Sequence, residues 1–178
     1  MADIKKLQNG SDIRGIACEG VEGEHVNLTE DAGNRIGGGF VRWLAEKKGK
    51  KPQELRIGIG HDSRITADSL FTAAAKGIAA AGAKVYACGL VSTPSMFMTT
   101  VFDEFGFDGA IMITASHLPF NRNGYKFFDR DGGLEHDDIT KILETASGLL
   151  VEEASLDGVE KADSISVYCD FLKDKIRK

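Results

Sequence analysis

The chain has few cysteines and no long apolar run, and each scarcity excludes a class of protein. The three cysteines, Cys18, Cys88 and Cys169, are odd in number and far apart, so they suit neither a disulfide framework nor a paired metal site. No stretch approaches the roughly 20 apolar residues that span a bilayer, and the N-terminus lacks the apolar segment of a secretory signal. We therefore expect a cytoplasmic protein with free thiols and no membrane partner.

Basic residues are also in the minority. Lys and Arg total 22 against 27 for Asp and Glu, which gives a formal net charge of −5. A broad surface for nucleic acid requires an excess of positive charge, so we expect no nucleic-acid partner. A phosphorylated small molecule is still compatible with this balance, because one or two well-placed Arg or Lys residues suffice to bind a phosphate.

Apolar runs alternate with segments of helical spacing through most of the chain. Strands are predicted at residues 55–60, 84–90 and 109–113, and helices at 28–48, 66–81, 93–105 and 135–146. This alternation predicts an α/β fold, a three-layer α/β/α domain with a mostly parallel sheet of about four strands. A further run at 125–128 follows too closely for a crossover helix, so it predicts an antiparallel strand and a mixed sheet.

Two other segments bear on the organisation of the chain. Three consecutive glycines, at 37–39, interrupt the first helix and cost about 1 kcal/mol each relative to alanine, so we expect a close contact there. Residues 151–163 are acidic and poor in large apolar residues, which predicts a linker, and helical spacing resumes at 164. We therefore divide the chain into a domain at 1–150 and an acidic linker and helix at 151–178 that leads toward a second domain.

A polar loop follows the apolar run at 109–113. It contains a hydroxyl at Ser116, an imidazole at His117 and an amine at Lys126. Open α/β sheets bind ligands at the carboxyl ends of their strands, so this loop is the candidate site. A hydrolase pair of Ser116 and His117 is disfavoured, because the Gly-x-Ser-x-Gly elbow is missing and no orienting acid can be identified.

The same loop resembles the phosphoserine signature of the α-D-phosphohexomutases, the family of phosphoglucomutases and phosphomannomutases. That signature reads Thr-Ala-Ser-His-Asn-Pro, followed by Asn-Gly-x-Lys. Residues 114–119 read Thr-Ala-Ser-His-Leu-Pro and residues 123–126 read Asn-Gly-Tyr-Lys, so Leu118 is the one departure. Residues 12–15, Asp-Ile-Arg-Gly, resemble a second family motif, whose arginine faces the active-site phosphate.

A third similarity lies at residues 60–64. They read Gly-His-Asp-Ser-Arg, where the family usually has Gly-Arg-Asp-x-Arg, so His61 replaces an arginine while Asp62 and Arg64 match. We interpret Arg64 as a structural residue that orients a loop.

The resemblance implies roles for the loop residues. Ser116 would carry a phosphoryl group and exchange it with a sugar phosphate, which moves phosphate between C1 and C6 through a hexose 1,6-bisphosphate. Lys126 would be the general acid or base on the sugar hydroxyl, with nearby cations and partial burial favouring its neutral amine, and His117 is the second candidate. The substrate- and phosphate-binding residues that the resemblance implies are Arg14, Asn123 and Gly124.

The resemblance also implies components that this sequence does not contain. The family binds Mg²⁺ between the phosphate oxygen of its serine, here Ser116, and three aspartates of a second domain, in an Asp-Gly-Asp-x-Asp-Arg segment. Residues 129–133 read Asp-Arg-Asp-Gly-Gly, which is the wrong order. The expected partners are a hexose phosphate and the remaining domains II–IV of the same enzyme, and the fragment alone is expected to be inactive.

Two alternatives stay open. One is a free-standing, non-catalytic module that binds a phosphosugar or a partner protein through the same face. It would be distinguished by the absence of metal and sugar motifs from the natural polypeptide. The other is the phosphoglucosamine mutase branch of the same family, which the sugar-binding loop of a complete enzyme would identify.

Overall fold

One mixed sheet with helices on both faces forms the computed structural model, which describes residues 3–176. The strands are β1 (Gln8–Asn9), β2 (Asp12–Ile16), β3 (Arg56–His61), β4 (Lys84–Leu90), β5 (Gly109–Ile113), β6 (Arg122–Asp129), β7 (Gly132–Gly133) and β8 (Glu160–Lys161). The α-helices are α1 (Glu30–Lys48), α2 (Ala67–Ala80), α3 (Thr93–Met98), α4 (His136–Ser147) and α5 (Ser164–Ile176), and short 3₁₀ helices lie at Ile4–Leu7 and Pro52–Glu54.

The strand order is β1-β2-β6-β5-β3-β4-β8, and β7 pairs with β6. The pairs of β3 with β4, β3 with β5 and β4 with β8 are parallel, whereas β6 is antiparallel to both β5 and β2. The predicted α/β fold and mixed sheet are confirmed. The expected number of about four strands is wrong, because the sheet has 8 strands and the two-residue strands are too short to produce an alternating pattern.

Strand β5 shows how the core divides between the two faces of the sheet. Ile111 and Ile113 belong to the larger apolar cluster, which lies under α1, α2 and α4. Ala110 and Met112 belong to the smaller cluster, beside α3 and α5. Because successive side chains of a strand point to opposite faces, a strand that is buried on both sides is apolar throughout.

The glycines of α1 allow its backbone to pack against two neighbouring helices. A Cβ on Gly37 would collide with the main chain of Ala74 in α2, and a Cβ on Gly39 would lie 2.8 Å from the carbonyl oxygen of Ile142 in α4. The predicted close contact is therefore confirmed. The helix begins after Thr29, whose Oγ1 accepts a hydrogen bond from the Ala32 N–H at 3.1 Å.

Two segments differ from the sequence-based expectation. Helix α3 ends at Met98 and does not continue to residue 105. The hydroxyls of Thr99 and Thr100 donate to carbonyls three residues earlier, at 2.7 Å each, and such local bonds favour turns over a continuing helix. The acidic segment at 151–163 contains β8, which pairs with β4, so it is attached to the sheet.

Within residues 3–176, no helix combines the length and apolarity that a membrane crossing requires.

Gly77 offers a test of the contact between α1 and α2. A Cβ at this position would collide with the main-chain carbonyl of Asn34, so we expect Gly77→Ala to lower the free energy of unfolding by about 1–3 kcal/mol, measured by urea denaturation. Gly38→Ala is the matched control, because its Cβ would first meet the movable Leu149 side chain, at 3.1 Å. Equal stability of the two variants would contradict the predicted contact.

Candidate functional site

The candidate site is formed by the serine loop, which we define as residues 114–121, between β5 and β6. The loop follows the carboxyl end of β5, and the adjacent parallel strand β3 ends at the same edge of the sheet. The main-chain N–H of Asp62, which follows β3, donates to the carbonyl of Ile113 at 3.1 Å. The loop therefore lies where the sequence places it, at the ligand-binding edge of an α/β sheet.

Ser116 has an unusual backbone conformation. Its φ is 56°, and among residues 3–176 no other non-glycine residue has a positive φ. Such a conformation costs about 1–3 kcal/mol and persists only where neighbouring groups fix it. The Ser116 N–H donates to Thr114 Oγ1 at 2.9 Å, and Thr114 Oγ1 in turn donates to Asp62 Oδ2 at 2.6 Å. The main chain of Ser116 is thereby fixed while its side chain faces solvent.

Arg64 holds the serine loop through its guanidinium group, which is nearly buried, with 12% side-chain exposure. It donates four hydrogen bonds of 2.8–2.9 Å to main-chain carbonyls, namely those of Ser116, Leu118, Pro119 and Arg122. Its Nε lies 3.4 Å from Asp62 Oδ2. The predicted orienting role of Arg64 is confirmed by these contacts.

His117 lies beside the serine hydroxyl. Its Nδ1 is 3.3 Å from Ser116 Oγ, and both residues are exposed. This distance is long for a hydrogen bond between a hydroxyl and a nitrogen, and such contacts commonly shorten when a substrate binds. The imidazole of His117 therefore lies next to the oxygen of Ser116, and its part in proton transfer stays a prediction.

Arg14 and Lys126 lie next to the base of the serine loop. Arg14 Nη1 donates to the carbonyl of Ala115 at 2.9 Å, one residue before Ser116. Lys126 Nζ donates to both oxygens of Asp12, at 2.6 and 2.8 Å, so its amine is ion-paired. The surroundings of Lys126 therefore contain a carboxylate as well as the cation Arg14.

Asp12 is the site residue that sequence reasoning missed. Its carboxylate pairs with Arg14 as well as with Lys126. The signal was available, since Asp12 precedes Arg14 by two positions on β2, and residues two apart on a strand point to the same face. In the Asp-Ile-Arg-Gly motif at residues 12–15, we assigned a role only to Arg14.

Asn123 and Gly124 lie inside the framework of the site. Asn123 is fully buried; its Nδ2 donates to Thr66 Oγ1, and its Oδ1 accepts from the Gly124 N–H, both at 2.9 Å. A Cβ on Gly124 would collide with the carbonyl of Ile13 in β2. The amide of Asn123 thus forms hydrogen bonds within the protein and Gly124 permits a close approach of strands, while their phosphate-binding role stays a prediction.

Tyr125, between Gly124 and Lys126, joins the site to α2. Its buried phenol donates to the carbonyl of Leu70 at 3.0 Å. Burial raises the pKa of Tyr125 far above its ordinary value, and the nearby Glu30 carboxylate adds to the effect. The phenol is therefore a neutral donor that fixes β6, and Lys126 with it, against the helix layer.

The residues at 3–176 do not by themselves fit a resident Mg²⁺. In the described part of the chain, no group of three or more His, Cys, Asp or Glu side chains is arranged to hold a metal ion. A phosphate on Ser116 would contribute oxygen, but Mg²⁺ prefers six oxygen ligands in octahedral geometry. Further ligands would have to come from outside residues 3–176.

Comparison with known proteins identifies the family of this domain. Residues 5–148 match the phosphoglucomutase/phosphomannomutase alpha/beta/alpha domain I, and the chain belongs to this family. A phosphoglucosamine mutase from Caldicellulosiruptor saccharolyticus is 37% identical, over 96% of this chain and 37% of the relative. A phosphoglucosamine mutase from Corynebacterium urealyticum is 35% identical over 79% of this chain and 29% of the relative.

Solved structures show the same fold. A phosphoglucomutase/phosphomannomutase family protein from Burkholderia thailandensis has a TM-score of 0.71 at 24% identity, over 96% of this chain and 35% of that protein. The phosphoprotein pp63/parafusin, a phosphoglucomutase from Paramecium, has a TM-score of 0.58 at 22% identity, over 79% of this chain and 31% of that protein. The chain thus spans roughly a third of the length of these proteins.

The role of Arg64 predicts the behaviour of an Arg64→Lys variant. Lysine keeps the charge but cannot reach several carbonyls from one planar group. We expect main-chain amides of the serine loop to exchange with solvent at least about tenfold faster, since hydrogen bonds to charged groups are worth about 1.5–3 kcal/mol each. Hydrogen exchange followed by NMR measures this change. Arg130→Lys, at a side chain that is 66% exposed, is the control, and unchanged loop protection in Arg64→Lys would contradict the assignment.

Proposed function

We propose that this chain is the phosphoserine-bearing domain of a hexose-phosphate mutase that interconverts hexose 1-phosphate and hexose 6-phosphate. The observation that carries the proposal is Ser116, an exposed hydroxyl on a backbone fixed at positive φ. Membership of a mutase family supports it. Because the chain spans only part of its relatives, we also propose that it lacks turnover on its own and acts together with further domains.

In the proposed reaction, Ser116 Oγ carries a phosphoryl group and a hydroxyl oxygen of the hexose phosphate attacks its phosphorus. The new O–P bond forms as the bond between Ser116 Oγ and phosphorus breaks, which yields a hexose 1,6-bisphosphate. The bisphosphate then returns its other phosphoryl group to Ser116 Oγ, so the net reaction moves phosphate between C1 and C6. Phosphoryl transfer of this kind depends mainly on alignment and charge neutralisation.

In this proposal, two side chains move the protons. The proton of the attacking sugar hydroxyl passes to Lys126, and Ser116 Oγ takes a proton from His117, whose Nδ1 lies 3.3 Å away. Lys126 begins this step ion-paired with Asp12, so its own proton must first pass to that carboxylate or to solvent. The positive charge of Arg14 offsets the negative charge of the phosphoryl group. Its planar guanidinium also matches the arrangement of phosphate oxygens.

The names of the relatives bear on the choice of sugar. Several relatives at 31–37% identity are phosphoglucosamine mutases, which favours the aminosugar branch over the phosphoglucomutase and phosphomannomutase branches. We therefore propose glucosamine phosphate as the first substrate to test. We also propose that Mg²⁺ is held partly by residues outside this chain, that hexose 1,6-bisphosphate acts as activator, and that the protein is cytoplasmic, in keeping with its free cysteines.

Replacing Ser116 tests the proposal in the complete polypeptide that contains this domain. We expect Ser116→Ala to lower the conversion of glucosamine 6-phosphate to glucosamine 1-phosphate by roughly 10³-fold or more, because the acceptor of the phosphoryl group is lost. The purified protein should also lose the mass of one phosphoryl group. Ser147→Ala is the control, at an exposed serine at the end of α4.

Two outcomes would reject the mutase assignment. If Ser116→Ala retained turnover, the reaction would not pass through a phosphoserine at this position. Binding of hexose phosphate by the complete, unsubstituted protein without any turnover would instead favour the non-catalytic binding module.

A further inference from the structure

Asp12 carries the ion pairs of both cations beside the serine loop, and the proposed reaction gives it no role beyond accepting a proton. Its Oδ2 accepts hydrogen bonds from Arg14 Nη2 at 2.8 Å and from Lys126 Nζ at 2.6 Å. Its Oδ1 accepts a second hydrogen bond from Lys126 Nζ, at 2.8 Å. Within residues 3–176, no other carboxylate forms a salt bridge with Arg14 or Lys126. One carboxylate therefore holds both cations.

The strands bring these three side chains together. Asp12 and Arg14 lie two positions apart on β2, so they share a face of the sheet. The antiparallel register pairs Arg14 with Gly124 of β6, and two steps along the same register Lys126 lies opposite Asp12. Gly124 leaves the space beside Arg14 open, since a Cβ there would lie 3.1 Å from Arg14 Cγ. The cluster is thus a direct product of strand pairing.

Partial burial makes these ion pairs stronger than ordinary surface pairs. The side chains of Asp12, Arg14 and Lys126 are only 13%, 15% and 27% exposed. Charges at this depth are screened less by salt and water than charges on the surface. Without Asp12, the two cations would repel each other, and the flexible Lys126 side chain would lose its fixed position.

We infer that Asp12 is a positioning residue that keeps Lys126 beside Arg14 and acts as the counter-anion of both until a phosphate group reaches the serine loop. Carboxylate and phosphate oxygens accept hydrogen bonds from the same donors, so the two anions compete for Lys126 and Arg14. This inference rests on the proposed function for its catalytic meaning. The competition itself is a property of the cluster and can be measured separately.

The experiment uses the chain with ¹⁵N-labelled lysine and inorganic phosphate as the probe. In Asp12→Asn, we expect the Lys126 ammonium protons to exchange with water at least about tenfold faster, the factor that corresponds to a loss of 1.4 kcal/mol. We also expect inorganic phosphate to bind several-fold more tightly, because its competitor has been removed and the site has gained one unit of positive charge. A residue that only supported the fold would not produce this tighter binding.

Asp103→Asn is the matched control, because it removes the same charge at a side chain that is 96% exposed. It should resemble the unsubstituted chain in both measurements. Unchanged Lys126 exchange in Asp12→Asn, or phosphate binding that is unchanged or weaker, would overturn the inference.

A measurement on the unsubstituted chain covers the case in which Asp12→Asn does not fold. With arginine labelled as well as lysine, titration with inorganic phosphate should shift the Lys126 Nζ and Arg14 guanidinium signals along one binding curve, and a Lys126 signal that does not respond would overturn the inference. Failure of the proposed function would give a different experimental result. Ser116 of the complete protein would carry no phosphoryl group, while the competition between Asp12 and phosphate would still be observed.

Discussion

The hydrogen bonds from Arg64 to the serine loop are the interaction on which the candidate site depends. A loop that contains a residue at positive φ does not pair its carbonyls in a regular ladder, so these carbonyls need other hydrogen-bond donors. A guanidinium has five N–H donors in one plane, so it can serve several carbonyls from a single position. Arg64 belongs to the connection between β3 and α2, whereas the loop follows β5. These hydrogen bonds join the segments that follow β3 and β5. They also fix the backbone position from which the exposed hydroxyl of Ser116 projects.

The site divides into residues that fix the main chain and residues that supply positive charge beside the serine loop. Asp62 and Thr114 hydrogen-bond to each other, and Thr114 and the terminal nitrogens of Arg64 hydrogen-bond to the loop backbone. Arg14 and Lys126 lie on the neighbouring strands β2 and β6, which are held close by the Gly124 contact. A substitution in the first set should disturb geometry, whereas a substitution in the second set should disturb charge.

Much of the fold could be predicted from the sequence because long elements carry a repeated signal. Strand β4 has the predicted bounds, and β5 is recognisable from apolar residues on both faces. The strands β1, β7 and β8 have two residues each, and no period can be read from such short segments.

The sequence predicted some features of the site and missed others. Motif residues such as Ser116 and Arg14 come together as expected. The burial of Asn123 and the ion pair of Asp12 depend on the register between β2 and β6, which requires knowledge of which strands are neighbours. Sequence patterns on either strand alone do not contain that information.

Strand β8 has a consequence for how the domain could be divided. It covers part of one side of β4, a strand of seven residues at the border of the sheet. An uncovered border of this kind offers its N–H and C=O groups to strands of other molecules. A version trimmed at residue 150 would keep most of the larger apolar cluster under α1, α2 and α4, but the edge of β4 would be unpaired along its whole length. We therefore expect the trimmed version to self-associate more readily than the longer chain.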